Sequence, residues 1–134
     1  MMYITRRERF SSAHKLNNNN LSNEDNDKLF GKCYKLHGHN YELFVTVTGT
    51  VSKISGFVID IKDLKQIIHN KVISKLDHNY INDVDFMQNK IATTENLCLS
   101  IWAELEEPIR QLGGQLYKIK IMETENNYFE YFGK

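Results

Sequence analysis

The residue pattern predicts an α+β domain: an antiparallel sheet of four strands with two helices on one face. Three observations carry it. Apolar residues alternate with polar ones through 41–48 and again through 117–123. They recur at helical spacing through 61–76 and 97–109. The resulting order is ββααββ, with no linker or internal repeat, so the 134 residues form one unit, 1–134, with one core.

The first strand is read in Met2 to Ser12, where Tyr3, Ile4 and Phe10 are mixed with Arg6, Arg7 and Arg9. Asn17 to Asn20 and then Leu21 to Lys28 are polar and asparagine-rich, which indicates a loop or a short surface helical turn. Tyr41, Leu43, Val45 and Val47 alternate with Glu42, Phe44, Thr46 and Thr48 as a half-buried strand, closed by Gly49 and a turn over Ser52 to Gly56. Phe57-Val58-Ile59 leads into Asp60, an N-cap candidate with Asp63 in the first turn. Ile61, Leu64, Ile68, Val72 and Leu76 then form the apolar stripe of a helix.

The second helix starts at Thr93 or Thr94, where a hydroxyl can cap it, and buries Leu97, Ile101, Trp102, Leu105 and Ile109. Pro108 is expected to kink or end it, and Gly113-Gly114 closes it. A third strand places Tyr117, Ile119, Ile121 and Glu123 on one face and Lys118, Lys120 and Met122 on the other. Glu125-Asn126-Asn127 is a turn, and Tyr128 to Phe132 is the fourth strand.

Lysine plus arginine equals aspartate plus glutamate at 17 each, and this zero balance argues against a nucleic-acid partner. No apolar run approaches bilayer length, and no apolar segment follows the arginines of Met1 to Phe10, so neither a membrane span nor a secretion signal is expected. Cys33 and Cys98 suit free thiols in a reducing cytoplasm, and the near-zero charge fits an oligomer.

His37-Gly38-His39 is the most informative tripeptide, because residues two apart on an extended chain point the same way and can share a metal. His14 ends the preceding strand and would lie beside them if the strands pair antiparallel. Three neutral imidazoles with an open fourth position make a catalytic zinc arrangement, whereas the plain alternative for His14 is a buried ring bonded to backbone. Cys33 fits a fourth ligand, a nucleophile or base, or an inert thiol; Cys98, among Leu97, Leu99 and Ile101, reads as core filler.

Asp77-His78 makes either a proton shuttle with a carboxylate-oriented ring or an ordinary helix end, and His69 reads as a solvated helix residue. Glu123 is unexpected on a buried face and would need donors there, as from a ligand with adjacent N–H groups; a strand-end surface carboxylate is the alternative. Thr93, Thr94 and Glu95 offer either plain capping, the simpler reading, or free N–H groups for an acceptor-rich ligand.

Ser11-Ser12-Ala13-His14, Phe30-Gly31-Lys32-Cys33, Leu36-His37-Gly38-His39-Asn40-Tyr41, Leu76-Asp77-His78, Thr93-Thr94-Glu95-Asn96 and Glu123-Thr124-Glu125-Asn126-Asn127 occur in one order along the chain. Together they resemble the pterin synthases of the 6-pyruvoyl- and 6-carboxy-tetrahydropterin type, in register from about Phe10 to Tyr131. The resemblance implies a tunnelling fold whose trimers close into a barrel and stack as a homohexamer, with sites between subunits. It implies Zn2+ on His14, His37 and His39, catalysis by Cys33, Asp77 and His78, and a pocket of Glu123, Thr93, Thr94 and Glu95 for 7,8-dihydroneopterin triphosphate.

The Cys-x-x-x-His-Gly-His spacing resembles the 6-carboxy-tetrahydropterin synthases of queuosine biosynthesis, since the biopterin-pathway enzymes have two more residues before the first histidine. That makes the expected products 6-carboxy-tetrahydropterin, triphosphate and acetaldehyde, with the 6-pyruvoyl reaction of tetrahydrobiopterin biosynthesis as the alternative. A third branch, making a folate precursor, usually replaces this cysteine with glutamate. Outside enzymes, a non-catalytic pterin- or metal-binding oligomer would not need Cys33, Asp77 and His78 together. A zinc hydrolase would want a glutamate base beside the histidines, which is not found.

Overall fold

The computed structural model describes residues 1–134. Strand β1 (Met2–His14) and strand β2 (His37–Gly49) pair antiparallel without interruption, from Met2 opposite Gly49 to His14 opposite His37. Both strands run past the alternating segments seen in the sequence, and the added length carries the three histidines into the ladder.

Between them lies helix α1 (Asn23–Phe30), begun by Ser22, whose hydroxyl accepts from the Asp25 N–H, and followed by a single 3-10 turn, Gly31–Tyr34. The asparagine-rich stretch before it is organised by Asn26, which is 1% exposed. Its Oδ1 accepts from the Asn18 N–H, and its Nδ2 donates towards the carbonyls of Asn18, Leu21 and Ser22. Asn26→Leu should therefore destabilise the protein by about 3 kcal/mol, the upper end for stranding buried polar partners. An unchanged denaturation midpoint would mean that water replaces the asparagine without penalty.

Asp60 caps helix α2 (Ile61–Ile68) as expected, accepting from the Lys62 N–H at 2.8 Å. The helical path continues through a π segment, His69–Ile73, into the short α3 (Ser74–Leu76). The wider turn lets Val72 and Ile73 both face the core after Leu64 and Ile68, while Ile61, assigned to the stripe from the sequence, is exposed. Helix α4 (Thr94–Gln111) begins at the predicted cap, with the Thr93 hydroxyl accepting from the Asn96 N–H. Pro108 does not end it. A proline removes one i−4 bond, and the fully buried Ile109 holds the last turn on the core. Leu112 follows the helix, and Gly113 takes the left-handed turn at φ 98°.

The sheet is not the expected antiparallel four. It has five strands in the order β3-β1-β2-β4-β5, with β3 (Asn79–Tyr80), β4 (Gln115–Met122) and β5 (Tyr128–Tyr131). β3 runs parallel to β1, with Ser12 opposite Asn79 and Ala13 opposite Tyr80. The His78 N–H donates to the Ser11 carbonyl and the Ser12 hydroxyl to the Leu76 carbonyl, drawing the chain onto the β1 edge as it leaves α3.

A second correction concerns β4. Thr46 faces Lys118 but Val47 faces Leu116, so Tyr117 is an extra residue in the ladder. Leu116 takes the core position and Tyr117 is exposed, against Tyr3 at 4.7 Å between ring centroids. The helices cover one sheet face, burying Leu64, Ile68, Leu97, Ile101 and Leu105 over Leu43, Val45 and Ile119. Cys98 is in this core as expected, and burial pushes its thiol up to about 12. Trp102 is only half-buried, edge-on to Tyr131. No helix is long and apolar enough to cross a membrane.

Candidate metal centre and adjoining cleft

Register builds the centre. His14 and His37 are direct cross-strand partners and His39 faces Ser12, so all three rings project from the helix-covered side at one end of the β1–β2 ladder. One ligand atom from each lies within 4.8 Å of the others, compact enough for one ion to draw them into bonds of about 2.0–2.1 Å. The alternative of a merely buried His14 is half right: its Nδ1–H donates to the Ala92 carbonyl at 2.8 Å. That bond sets the tautomer and leaves the Nε2 lone pair facing the centre.

His37 is oriented likewise by the Lys35 carbonyl at 2.8 Å. His14 Nε2 and His39 Nε2 are buried and have no partner in the protein, so the donor set fits a metal ion. A Cβ on Gly38 would come to 3.0 Å from the Ser12 carbonyl, so the glycine permits close approach of β1.

Burial lowers the pKa of His14 below its ordinary 6.5, with the Ala92 bond opposing and the neighbouring histidines adding to the shift. His39 is lowered for the same first reason, with Glu123 opposing. Both rings are neutral at neutral pH, the form that binds metal. The unfolded imidazoles take up protons near pH 6.5 while the folded ones resist. The stability these rings contribute is therefore full above that pH and is lost as pH falls through the folded values. The melting midpoint of chelator-treated protein should drop as the pH is lowered below the ordinary 6.5 of these rings. A flat profile would show that the rings are freely solvated.

Glu123 follows β4 at the same end, where the buried Thr94 hydroxyl donates to its Oε2. Its Oε1 stands 3.9 Å from His39 Nε2, too far for a hydrogen bond and, beside a neutral ring, not an ion pair. Glu123 thus belongs to the centre and not to a free strand end. With His39, Tyr41, Phe10 and Met122 it lines a cleft of about 640 Å³. Thr93 acts as the helix cap, and Glu95 is exposed on the first turn of α4.

Cys33 is exposed in the 3-10 turn and is not part of the histidine cluster. Its carbonyl accepts from the Leu16 N–H at 2.8 Å, which ties its turn to the chain just beyond His14. Asp77 and His78 do touch: Asp77 Oδ1 is 3.0 Å from His78 Nδ1 and also accepts from the Ser11 N–H at 2.9 Å. The Ser11 bond, and then His78, hold the Asp77 carboxyl below its ordinary pKa. His78 adopts φ 62°, a left-handed turn unusual for a side-chain-bearing residue. Its ring lines a cleft with Ser11, Ala13, Gly38 and Asn40, which His39 also borders. His78 and Asp77 are not members of the three-histidine cluster. His69 is exposed, as read from the sequence.

Tyr41 and Ala92 went unnoticed in the sequence as parts of this centre. The first was visible only as a core position of its strand, and the second supplies a backbone atom.

The family described as "PTPS: 6-pyruvoyl tetrahydropterin synthase" matches residues 3–134. A Dictyostelium discoideum protein named 6-pyruvoyl tetrahydrobiopterin synthase is 46% identical over 132 residues, covering 98% of this chain and 96% of its own. The Homo sapiens protein of the same name is 40% identical over 134 residues, covering 98% and 91%. The solved Caenorhabditis elegans 6-pyruvoyl tetrahydropterin synthase superposes with a TM-score of 0.88 at 34% identity, over 99% of this chain and 96% of that one.

Proposed function

Because the chain belongs to the 6-pyruvoyl tetrahydropterin synthase family, we propose that it converts 7,8-dihydroneopterin triphosphate to 6-pyruvoyl-tetrahydropterin with loss of triphosphate. The carrying observation is the cluster of three histidines, two with unpartnered Nε2 atoms, beside a carboxylate held by Thr94. The cysteine-to-histidine spacing favours the 6-carboxy product, but relatives matched over nearly their whole length carry the 6-pyruvoyl name, and their similarity outweighs one loop length.

His14, His37 and His39 would hold Zn2+, which when bound acts as a Lewis acid that makes the C–H beside a coordinated side-chain hydroxyl more acidic. Glu123 accepts the amino and ring N–H groups of the pterin, and Thr94 keeps its carboxylate aimed. Cys33, as thiolate, removes a proton from the side chain, and His78, oriented by Asp77, carries the other proton transfer. Since Cys33 is exposed and the Asp77–His78 pair lies outside the three-histidine cluster, the site is completed in a homohexamer in the cytoplasm, where a neighbouring chain brings that pair to Cys33.

The test is the product formed from 7,8-dihydroneopterin triphosphate by purified, zinc-loaded protein, read by mass spectrometry. A tetrahydropterin keeping all its side-chain carbons supports the proposal. A 6-carboxy product with acetaldehyde would reinstate the spacing argument, and unaltered substrate bound to the protein would indicate a non-catalytic binder.

A further inference from the structure

Three buried side-chain polar atoms lack a partner, and a metal accounts for only two of them, His14 Nε2 and His39 Nε2. The third is the hydroxyl of Tyr41. Tyr41 is 1% exposed, and its ring is held on several sides. It stacks on Phe10 with centroids 4.8 Å apart, and it stands edge-on to His39 at 5.4 Å and to His14 at 6.2 Å. Such a ring has little freedom to turn its hydroxyl to water. A phenylalanine, like its stacking partner Phe10, would fill the place without burying an unpaired polar atom, so the oxygen demands a reason.

The protein does not supply one. Glu123 lines the same cleft as Tyr41. Yet its Oε2 is taken by Thr94 and its Oε1 faces His39, and no hydrogen bond joins it to Tyr41. The phenol is a donor without an acceptor, beside two of the three histidines and on the wall of the Glu123 cleft.

We propose that Tyr41 is a positioning residue whose hydroxyl donates a hydrogen bond to the oxygen held at the open position of the metal. That oxygen belongs to water in the resting protein. In its second role, which rests on the function proposed above, it is a side-chain hydroxyl of the pterin. The ring stack thus aims one donor at the incoming oxygen, orienting its lone pairs towards the metal.

Tyr41→Phe tests this by three readouts. The metal-free variant should melt at or above the wild-type temperature, because it loses only an unpaired hydroxyl; a lower midpoint would reveal a protein partner and overturn the inference. With cobalt(II) in the site and no pterin, its visible absorption should differ from wild type. Neopterin, which carries the side-chain hydroxyls, should bind the cobalt-loaded variant about 5- to 10-fold more weakly than wild type, the effect of one lost hydrogen bond. A pterin without the side chain should bind both proteins equally. Equal neopterin affinities overturn the substrate role. If wild type binds no pterin, the proposed substrate is wrong and the cobalt spectra alone decide Tyr41, with identical spectra counting against it.

Discussion

Replacing His39 with alanine should empty the metal centre and abolish turnover while leaving the sheet folded. His39 is the most informative ligand to remove, because its ring nitrogen Nε2 has no protein partner to strand. His14 would be a poorer choice: it is 3% exposed and bonded to the Ala92 carbonyl, so its loss leaves both a hole and an orphaned acceptor. The backbone of His39 stays in register opposite Ser12 whatever its side chain. Two imidazoles remain in the variant, and Cys33 is not part of the cluster that would have to replace the third. Metal content by elemental analysis, alongside thermal melting, separates the outcomes. A folded variant that retains a full complement of metal would show that the ion is held elsewhere.

Cys33→Ala should behave in the opposite way, keeping the metal and losing the chemistry. The thiol is exposed, makes no hydrogen bond, and its turn is tied down by backbone bonds that alanine preserves, so folding and metal binding should be unaffected. If the thiolate is the proton acceptor, kcat should fall by about 100- to 10,000-fold, the range for removing a general base. KM should move little, because Glu123 and not Cys33 is assigned to hold the ring. Loss of metal from this variant would instead make Cys33 a ligand, and undiminished turnover would remove it from the mechanism.

What could be read from the sequence followed how locally each feature is encoded. The strand at 41–48, the cap at Asp60 and the cap at Thr93 depend on neighbours a few residues away, and all are found. The histidine cluster was legible for a related reason: two of its members are two residues apart on one strand and the third ends the strand before it, so one antiparallel pairing suffices to unite them. Features set by distant contacts were not legible. β3 is two residues long and exists because the chain leaving α3 is bonded to Ser11 and Ser12. The displaced Tyr117 depends on a mismatch between β4 and β2 that neither strand shows alone. The role of Asn26 requires four loop groups to be folded around it, and the composition there suggested only polarity. For Glu123 the sequence offered two readings, and the hydroxyl of Thr94, 29 positions away, is what distinguishes them.

The long β1–β2 ladder and the connection it encloses differ in how freely they can change over time. A residue inserted within 2–14 or 37–49 would turn every side chain beyond it to the opposite face, dispersing the ligands. Residues 15–34 hang between the ends of that ladder, short of the Lys35 carbonyl that orients His37, and can lengthen or shorten without shifting its register. Cys33 rides on this adjustable span. Descent can therefore shift Cys33, the proposed base, while the three-histidine cluster is inherited intact. On this view the count of residues between Cys33 and His37 records the history of a loop, and a shortened span need not signal a changed reaction.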